Sequence, residues 1–225
     1  MPWDEWIRDA EVEPSLYGAN FARLGDEIEA LLDADCRVFH FDVGDGHFVE
    51  PITVGPIVLQ AISPLVHARG GVLDVHLMVE NPAKYFRPVA EAGGDSVTFH
   101  YEAVGDVAAT VAAAHTEGLQ AGVAFNPESE PEEVAAAAGD ADLVLCMAIH
   151  PGYSGQPFRE ETFDRVERLR VALPEGVEIQ VDGGVGLANI ARLRDGGATL
   201  LVAASSIFGH DDPSQAYRQL VDALA

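Results

Sequence analysis

His40 and Asp42 lie two positions apart at the end of the apolar run Arg37 to Asp42, so in an extended chain both side chains leave on the same side. His76 sits near the end of another such run, Asp74-Val75-His76-Leu77-Met78, and Asp182 closes a third immediately before Gly183-Gly184. Two imidazoles and two carboxylates with coordination positions to spare suit Zn²⁺, Mn²⁺, Fe²⁺ or Co²⁺ better than a hard ion that takes oxygen ligands alone. Zinc is the first expectation for one divalent ion shared by His40, Asp42, His76 and Asp182. Each of these residues alone reads as an ordinary strand-end side chain; together they make a ligand set, provided that they project from the same end of one parallel sheet.

The rest of the chain predicts such a sheet. Short β-rich runs at Glu11 to Leu16, Arg37 to Asp42, Val72 to Met78, Ser96 to His100, Ala121 to Phe125, Leu143 to Ile149, Glu178 to Asp182 and Thr199 to Ala203 read as strands. Helices are expected at Phe21 to Asp35, Gly55 to Ser63, Pro82 to Ala92, Val104 to Glu117, Pro131 to Ala138, Glu161 to Leu173, Leu187 to Asp195 and Pro213 to Leu224. Glycine pairs at Gly93-Gly94 and Gly196-Gly197 stand where helices should stop before the next strand. This alternation implies parallel strands with helical crossovers, and eight such units close into a (β/α)8 TIM barrel, an α/β fold. A doubly wound sheet would carry a glycine fingerprint after its first strand, whereas this chain has Tyr17-Gly18-Ala19-Asn20 there. With no linker or low-complexity tract in view, residues 1–225 read as a single barrel domain. Functional groups of such a barrel collect at the carboxyl ends of its strands.

Composition narrows the partners. Thirty-seven acidic residues against 13 basic ones give a formal charge of −24, with Lys84 the sole lysine. That surface repels nucleic acid and anionic lipid, so neither is an expected partner. The apolar runs fall well below the roughly 18 to 20 residues that cross a bilayer. The acidic N-terminus lacks the basic start and apolar stretch of a secretory signal, which predicts a cytoplasmic protein. Cys36 and Cys146 lie within apolar segments and read as buried free thiols. Without a lysine at any strand end, a decarboxylase or condensing barrel working through lysine has little support. A non-catalytic sugar-phosphate-binding barrel is the alternative from another class.

The segment His40-Phe41-Asp42-Val43-Gly44-Asp45-Gly46-His47-Phe48-Val49 resembles the ribulose-phosphate 3-epimerase family. The likeness continues through Leu73 to Met78, Met147 to Gln156 and Val181-Asp182-Gly183-Gly184-Val185, and covers Pro14 to about Gly209. The resemblance implies a ribulose-phosphate-binding barrel that epimerises a phosphorylated ketose at C3, D-ribulose 5-phosphate to D-xylulose 5-phosphate in the first instance, through a metal-stabilised enediolate. Inverting a stereocentre requires one group to take the proton from one face and another to return one to the opposite face. By resemblance Asp42 is the acceptor and Asp182 the donor. Ser15, His76, Gly152 and Gly155 would line the substrate site, Met78 and Met147 would floor it, and His150 to Phe158, with Tyr153 and Ser154, would form a mobile lid. Gly183-Gly184 after the seventh strand and Ala204-Ser205-Ser206 after the eighth stand where barrels commonly bind phosphate through backbone N–H groups. Such donors would offset the overall negative charge locally. The family also implies a homo-oligomer.

Some positions depart from the family pattern. Gly44 replaces a pocket methionine, Glu50-Pro51 stands for Pro-Asn, Asn20 for Asp, His150 for Asn or Glu, and Ala204 for a phosphate-loop glycine. The loss of a large side chain at Gly44 predicts a wider pocket, which would admit a hexulose 6-phosphate such as allulose 6-phosphate.

Overall fold

The computed structural model describes residues 3–153 and 155–224. The β-rich runs form eight strands: β1 (Glu11–Pro14), β2 (Val38–Gly44), β3 (Val72–Met78), β4 (Ser96–His100), β5 (Gln120–Phe125), β6 (Leu143–Met147), β7 (Glu178–Asp182) and β8 (Leu200–Ala203). All pair in parallel, in the order β1-β8-β7-β6-β5-β4-β3-β2. A single parallel bridge between Ser15 and His40 brings β1 back beside β2, so the sheet is a nearly closed TIM barrel. The helices are α1 (Trp3–Trp6), α2 (Leu24–Leu32), α3 (Pro56–His67), α4 (Phe86–Glu91), α5 (Val107–Thr116), α6 (Pro131–Ala138), α7 (Thr162–Ala172), α8 (Ile190–Asp195), α9 (Ser205–Phe208) and α10 (Pro213–Leu224). None is long and apolar enough to cross a membrane.

Strand alternation divides the core in two. Outward side chains such as Phe39, Phe41, Val75, Phe99 and Val144 pack beneath the helices. Inward ones at the amino end of the barrel, among them Val38, Leu143, Leu145 and Leu200, are plugged from below by Trp3 and Trp6 of α1. Climbing β2 from that plug, the inward positions change from Val38 to His40 to Asp42. The barrel therefore becomes polar toward its carboxyl end, and the register places Asp42 beside His76 and Met147 beside Asp182.

Several boundaries differ from the sequence expectation for local reasons. β2 runs on to Gly44 because its ladder with β3 continues through Val43–Leu77 and Gly44–Met78. α3 passes through Pro64 to His67, its far end held by the buried Val66 and by Ser63, whose hydroxyl donates to Ala92 O at 2.8 Å. The helix expected from Pro82 begins instead as a 3-10 turn, Pro82–Lys84. Pro88 falls in the first turn of α4, where a missing N–H costs least. α8 starts at Ile190 because Asn189 is spent on the preceding loop, accepting from Gly186 N and donating to Gly184 O. Neither α1 nor α9 is legible as a helical period, each being a single turn.

Candidate functional site

β2, β3 and β7 bring one ligand atom each from His40, Asp42, His76 and Asp182 to within 4.8 Å of one another. His40 Nε2 lies 3.3 Å from Asp42 Oδ1, and His76 Nδ1 lies 3.1 Å from the same oxygen and 3.9 Å from Asp182 Oδ2. The two imidazoles are 3.4 Å apart through His40 Nε2 and His76 Nδ1. This nitrogen-and-carboxylate cluster, fed by β2, β3 and β7, fits a divalent ion. The second oxygen of Asp42 accepts a 2.7 Å hydrogen bond from Ser15 Oγ.

Electrostatics separates the two aspartates. Burial alone would raise Asp42, but the adjacent His40 charge and the hydrogen bonds of His40 and His76 carry it well below the usual carboxylate range. Asp182 has no such support: burial, and next the charge of Asp42, push it up to about 7. In the metal-free protein Asp42 is thus the more acidic of the pair and Asp182 the one with the higher proton affinity. His40 is raised: burial opposes its charge, but Asp42, Asp74 and Glu13 outweigh that.

Behind these ligands the barrel interior is polar. His40 Nδ1 lies 3.0 Å from Asp74 Oδ2 and 3.5 Å from Glu13 Oε2. Gln180 Nε2 donates to both carboxylates and Ser96 Oγ donates to Asp74. His76 Nε2 faces His100 Nε2 at 2.9 Å. Glu13, Asp74, Gln180 and His100 are fully buried, and the search for strand-end chemistry in the sequence missed all four as site residues. His100 closes β4, so the rule that singled out Asp182 applies to it as well.

The carboxylates open into a cavity at the carboxyl end of the barrel. Ser15, Asp42 and Asp182 line it, as do Met78 and Met147. Gly152, Tyr153 and Gly155 come from the β6–α7 loop, and Gly183, Gly184, Ala204 and Ser205 from the ends of β7 and β8. Tyr17, Ile149 and Val185, which the sequence had not singled out, complete much of the wall. His76 is not among the residues that line it; with no exposed surface, it stands behind the carboxylates, its Nδ1 in the cluster, and makes no substrate wall. Ser154 lies outside the described residues. No lysine, arginine or histidine lines the cavity among the described residues. Any anion there must be met by hydroxyls and backbone N–H groups, including the first-turn amides of α9, which have no intrahelical acceptor.

The expected widening at Gly44 is absent. Gly44 is not part of the cavity wall, and a Cβ there would come within 2.9 Å of both Pro51 O and Val49 Cγ2. The β2–α3 loop has folded into the space, tied by Thr53 Oγ1, which accepts from Gly44 N at 2.7 Å and donates to Asp42 O at 3.0 Å. Val49 and Pro51 also form the surface against which Gly152 of the β6–α7 loop rests. That loop is pinned by Gln156 Nε2, which donates to His150 O and Tyr153 O.

Comparison with known proteins agrees with this geometry. The chain matches the ribulose-phosphate 3 epimerase family over residues 11–208. It is 36% identical to the ribulose-phosphate 3-epimerase of Bacillus subtilis, covering 93% of this chain and 97% of that one. It is 38% identical to the chloroplastic ribulose-5-phosphate-3-epimerase of Arabidopsis thaliana, covering 93% and 75%. Among solved structures it superimposes on 3-hexulose-6-phosphate synthase from Salmonella typhimurium with a TM-score of 0.73 at 15% identity, over 95% of this chain and 98% of the other, a likeness of fold. The His-Asp cluster, the barrel that builds it and a match running from β1 into α9 converge on one assignment: the chain belongs to the ribulose-phosphate 3-epimerase family and is an isomerase of the epimerase type acting on carbohydrates.

Proposed function

We propose that this chain, working as one barrel domain, interconverts D-ribulose 5-phosphate and D-xylulose 5-phosphate by moving the C3 proton between Asp42 and Asp182. The observation that carries this reading is the pair of carboxylates lining one cavity with opposed proton affinities, Asp42 held below the usual range and Asp182 pushed up to about 7. A base and an acid made from the same residue type are what stereoinversion needs. Their strands, β2 and β7, are separated by β1 and β8 around the barrel, so a sugar laid over the mouth meets one carboxylate on each face.

In the forward direction Asp42 takes the C3 proton and Asp182 returns its own to the opposite face; in reverse the roles exchange. Ser15 steadies Asp42 for this through Oδ2. His40, Asp42, His76 and Asp182 would hold a divalent ion, zinc by the donor set, which would supply electrostatic stabilisation to the negative charge that develops on the substrate as the proton leaves. Met78 and Met147 give the reacting carbon an apolar floor, and the β6–α7 loop, through Gly152, Tyr153 and Gly155, excludes water. The phosphate is received by the amides of Gly183, Gly184, Ala204 and Ser205, which suits a cavity without cationic side chains.

The two-base reading is tested by Asp42→Asn and Asp182→Asn at saturating zinc. Each is expected to lower kcat by about 10²- to 10⁴-fold. Asp182→Asn should still exchange the C3 hydrogen of ribulose 5-phosphate with deuterated water much faster than it forms xylulose 5-phosphate. Epimerisation near the wild-type rate in either variant would refute the assignment.

A further inference from the structure

His76 is sandwiched between two different demands. Its Nδ1 faces into the ligand cluster, 3.1 Å from Asp42 Oδ1, and its Nε2 faces out of it toward His100 Nε2 at 2.9 Å. The two rings stack with centroids 5.0 Å apart and planes 23° apart. His100 Nδ1 in turn lies 3.4 Å from Glu102 Oε2, and the other oxygen of Glu102 accepts from Asn126 N at 2.8 Å and from Ser129 Oγ at 2.5 Å. Both imidazoles are fully buried, so water cannot replace either partner.

We propose that His100 and Glu102 are a positioning relay that fixes which ring nitrogen His76 offers to the divalent ion. A nitrogen that gives its lone pair to a cation carries no hydrogen, so a neutral His76 that binds through Nδ1 must hold its hydrogen on Nε2. Only one hydrogen fits between two Nε2 atoms 2.9 Å apart. His100 therefore accepts at Nε2 and keeps its own hydrogen on Nδ1, pointing at Glu102. An ionised carboxylate can only accept, so the order runs one way: Glu102 sets His100, and His100 sets His76. Burial would raise Glu102, but its bonds from His100, Ser129 and Asn126 hold it below the usual range, ionised as the relay needs.

The two imidazole ligands are thus backed unequally. The outward nitrogen of His40, Nδ1, leans directly on a carboxylate, Asp74 at 3.0 Å, whereas the outward nitrogen of His76, Nε2, reaches one only through a neutral ring. The relay also ties the metal centre to the β5–α6 loop, whose Asn126 and Pro127 carbonyls are gripped by the buried Arg165. Glu102 is anchored by backbone and hydroxyl donors of that loop, which gives it a fixed place from which to orient His100.

The inference rests on the reading of the four ligands as a metal centre, and the test separates the two. Zinc is titrated calorimetrically into the metal-free wild type and into His100→Phe, Glu102→Leu and Glu102→Gln. His100→Phe keeps a ring between Phe48 and His76 but removes the acceptor, and its zinc Kd is expected to rise about 10- to 100-fold. Glu102→Leu should weaken zinc in the same direction, and Glu102→Gln, whose amide oxygen still accepts from Nδ1, should stay closer to the wild type. A wild-type zinc affinity in both His100→Phe and Glu102→Leu would reduce His100 to a packing ring and overturn the relay. Imidazole ¹⁵N shifts of the zinc-loaded wild type decide independently of any variant's folding: hydrogen on His100 Nδ1 is expected, and hydrogen on its Nε2 overturns the proposal. A wild type that binds no zinc defeats the metal reading itself and takes the relay with it.

Discussion

Asp42 has both oxygens engaged, Oδ1 toward the two imidazoles and Oδ2 toward the Ser15 hydroxyl at 2.7 Å. A hydrogen bond to a buried charge is worth about 1.5 to 3 kcal/mol, so Ser15→Ala should lower kcat about tenfold or more at saturating zinc with little change in KM. Steady-state rates on ribulose 5-phosphate check this, and an unchanged kcat would remove Ser15 from the account of Asp42. At this scale the candidate ligand cluster was legible because His40 and Asp42 share one strand face and all four residues fall within or at the end of apolar runs that read as strands. His100, Glu13 and Gln180 escaped because a polar residue at an inward position looks the same in sequence whether it braces a ligand or caps a loop. Gly44 misled for a related reason: a missing side chain predicts empty room only when the backbone opposite stays where it was.

The element that moved in is the β2–α3 loop. Asp45 shapes it, accepting from His47 N at 2.8 Å, Phe48 N at 2.9 Å and Glu80 N at 2.9 Å, so Val49 and Pro51 are delivered against Gly44. Restoring methionine there must displace that loop. Gly44→Met is expected to destabilise the protein by about 1 to 3 kcal/mol, as overpacking does, and to leave the ratio of pentulose to hexulose phosphate turnover unchanged. Urea unfolding and paired substrate assays measure the two parts; a shift in substrate ratio without loss of stability would show that the residue governs the pocket after all. Among the elements, all eight strands were legible from their apolar runs, since a parallel barrel buries them on both faces. Helix edges were less so, because Pro64 is overridden by tertiary packing and Asn189 is diverted to its loop.

For the molecule as a whole, the polar barrel interior makes stability depend on pH. Burial pushes Glu13 up to about 7, and Asp182 is pushed up to about 7 by burial and Asp42. In the unfolded chain both titrate near their ordinary values of about 4. Between those limits the unfolded state has released protons that the folded state keeps, so these two carboxyls contribute stability to the metal-free protein that is lost as pH rises from about 4 to about 7, while buried His76 and His100, whose pKa values are lowered, contribute with the opposite sign. Glu13→Gln, which mimics the neutral carboxyl, should remove the Glu13 share of the slope, up to ~1.4 kcal/mol per pH unit. Urea unfolding in chelator across that range tests it, and an unaltered slope would mean that Glu13 is ionised in the folded barrel. The opposite end of the barrel has a different consequence. Both tryptophans of the chain belong to the plug, packed edge to face with ring centroids 4.7 Å apart. Intrinsic indole fluorescence is therefore a gauge of the floor and blind to the mouth: substrate or zinc should leave the emission maximum in place, while undocking of α1 should shift it to the red before or with global denaturation.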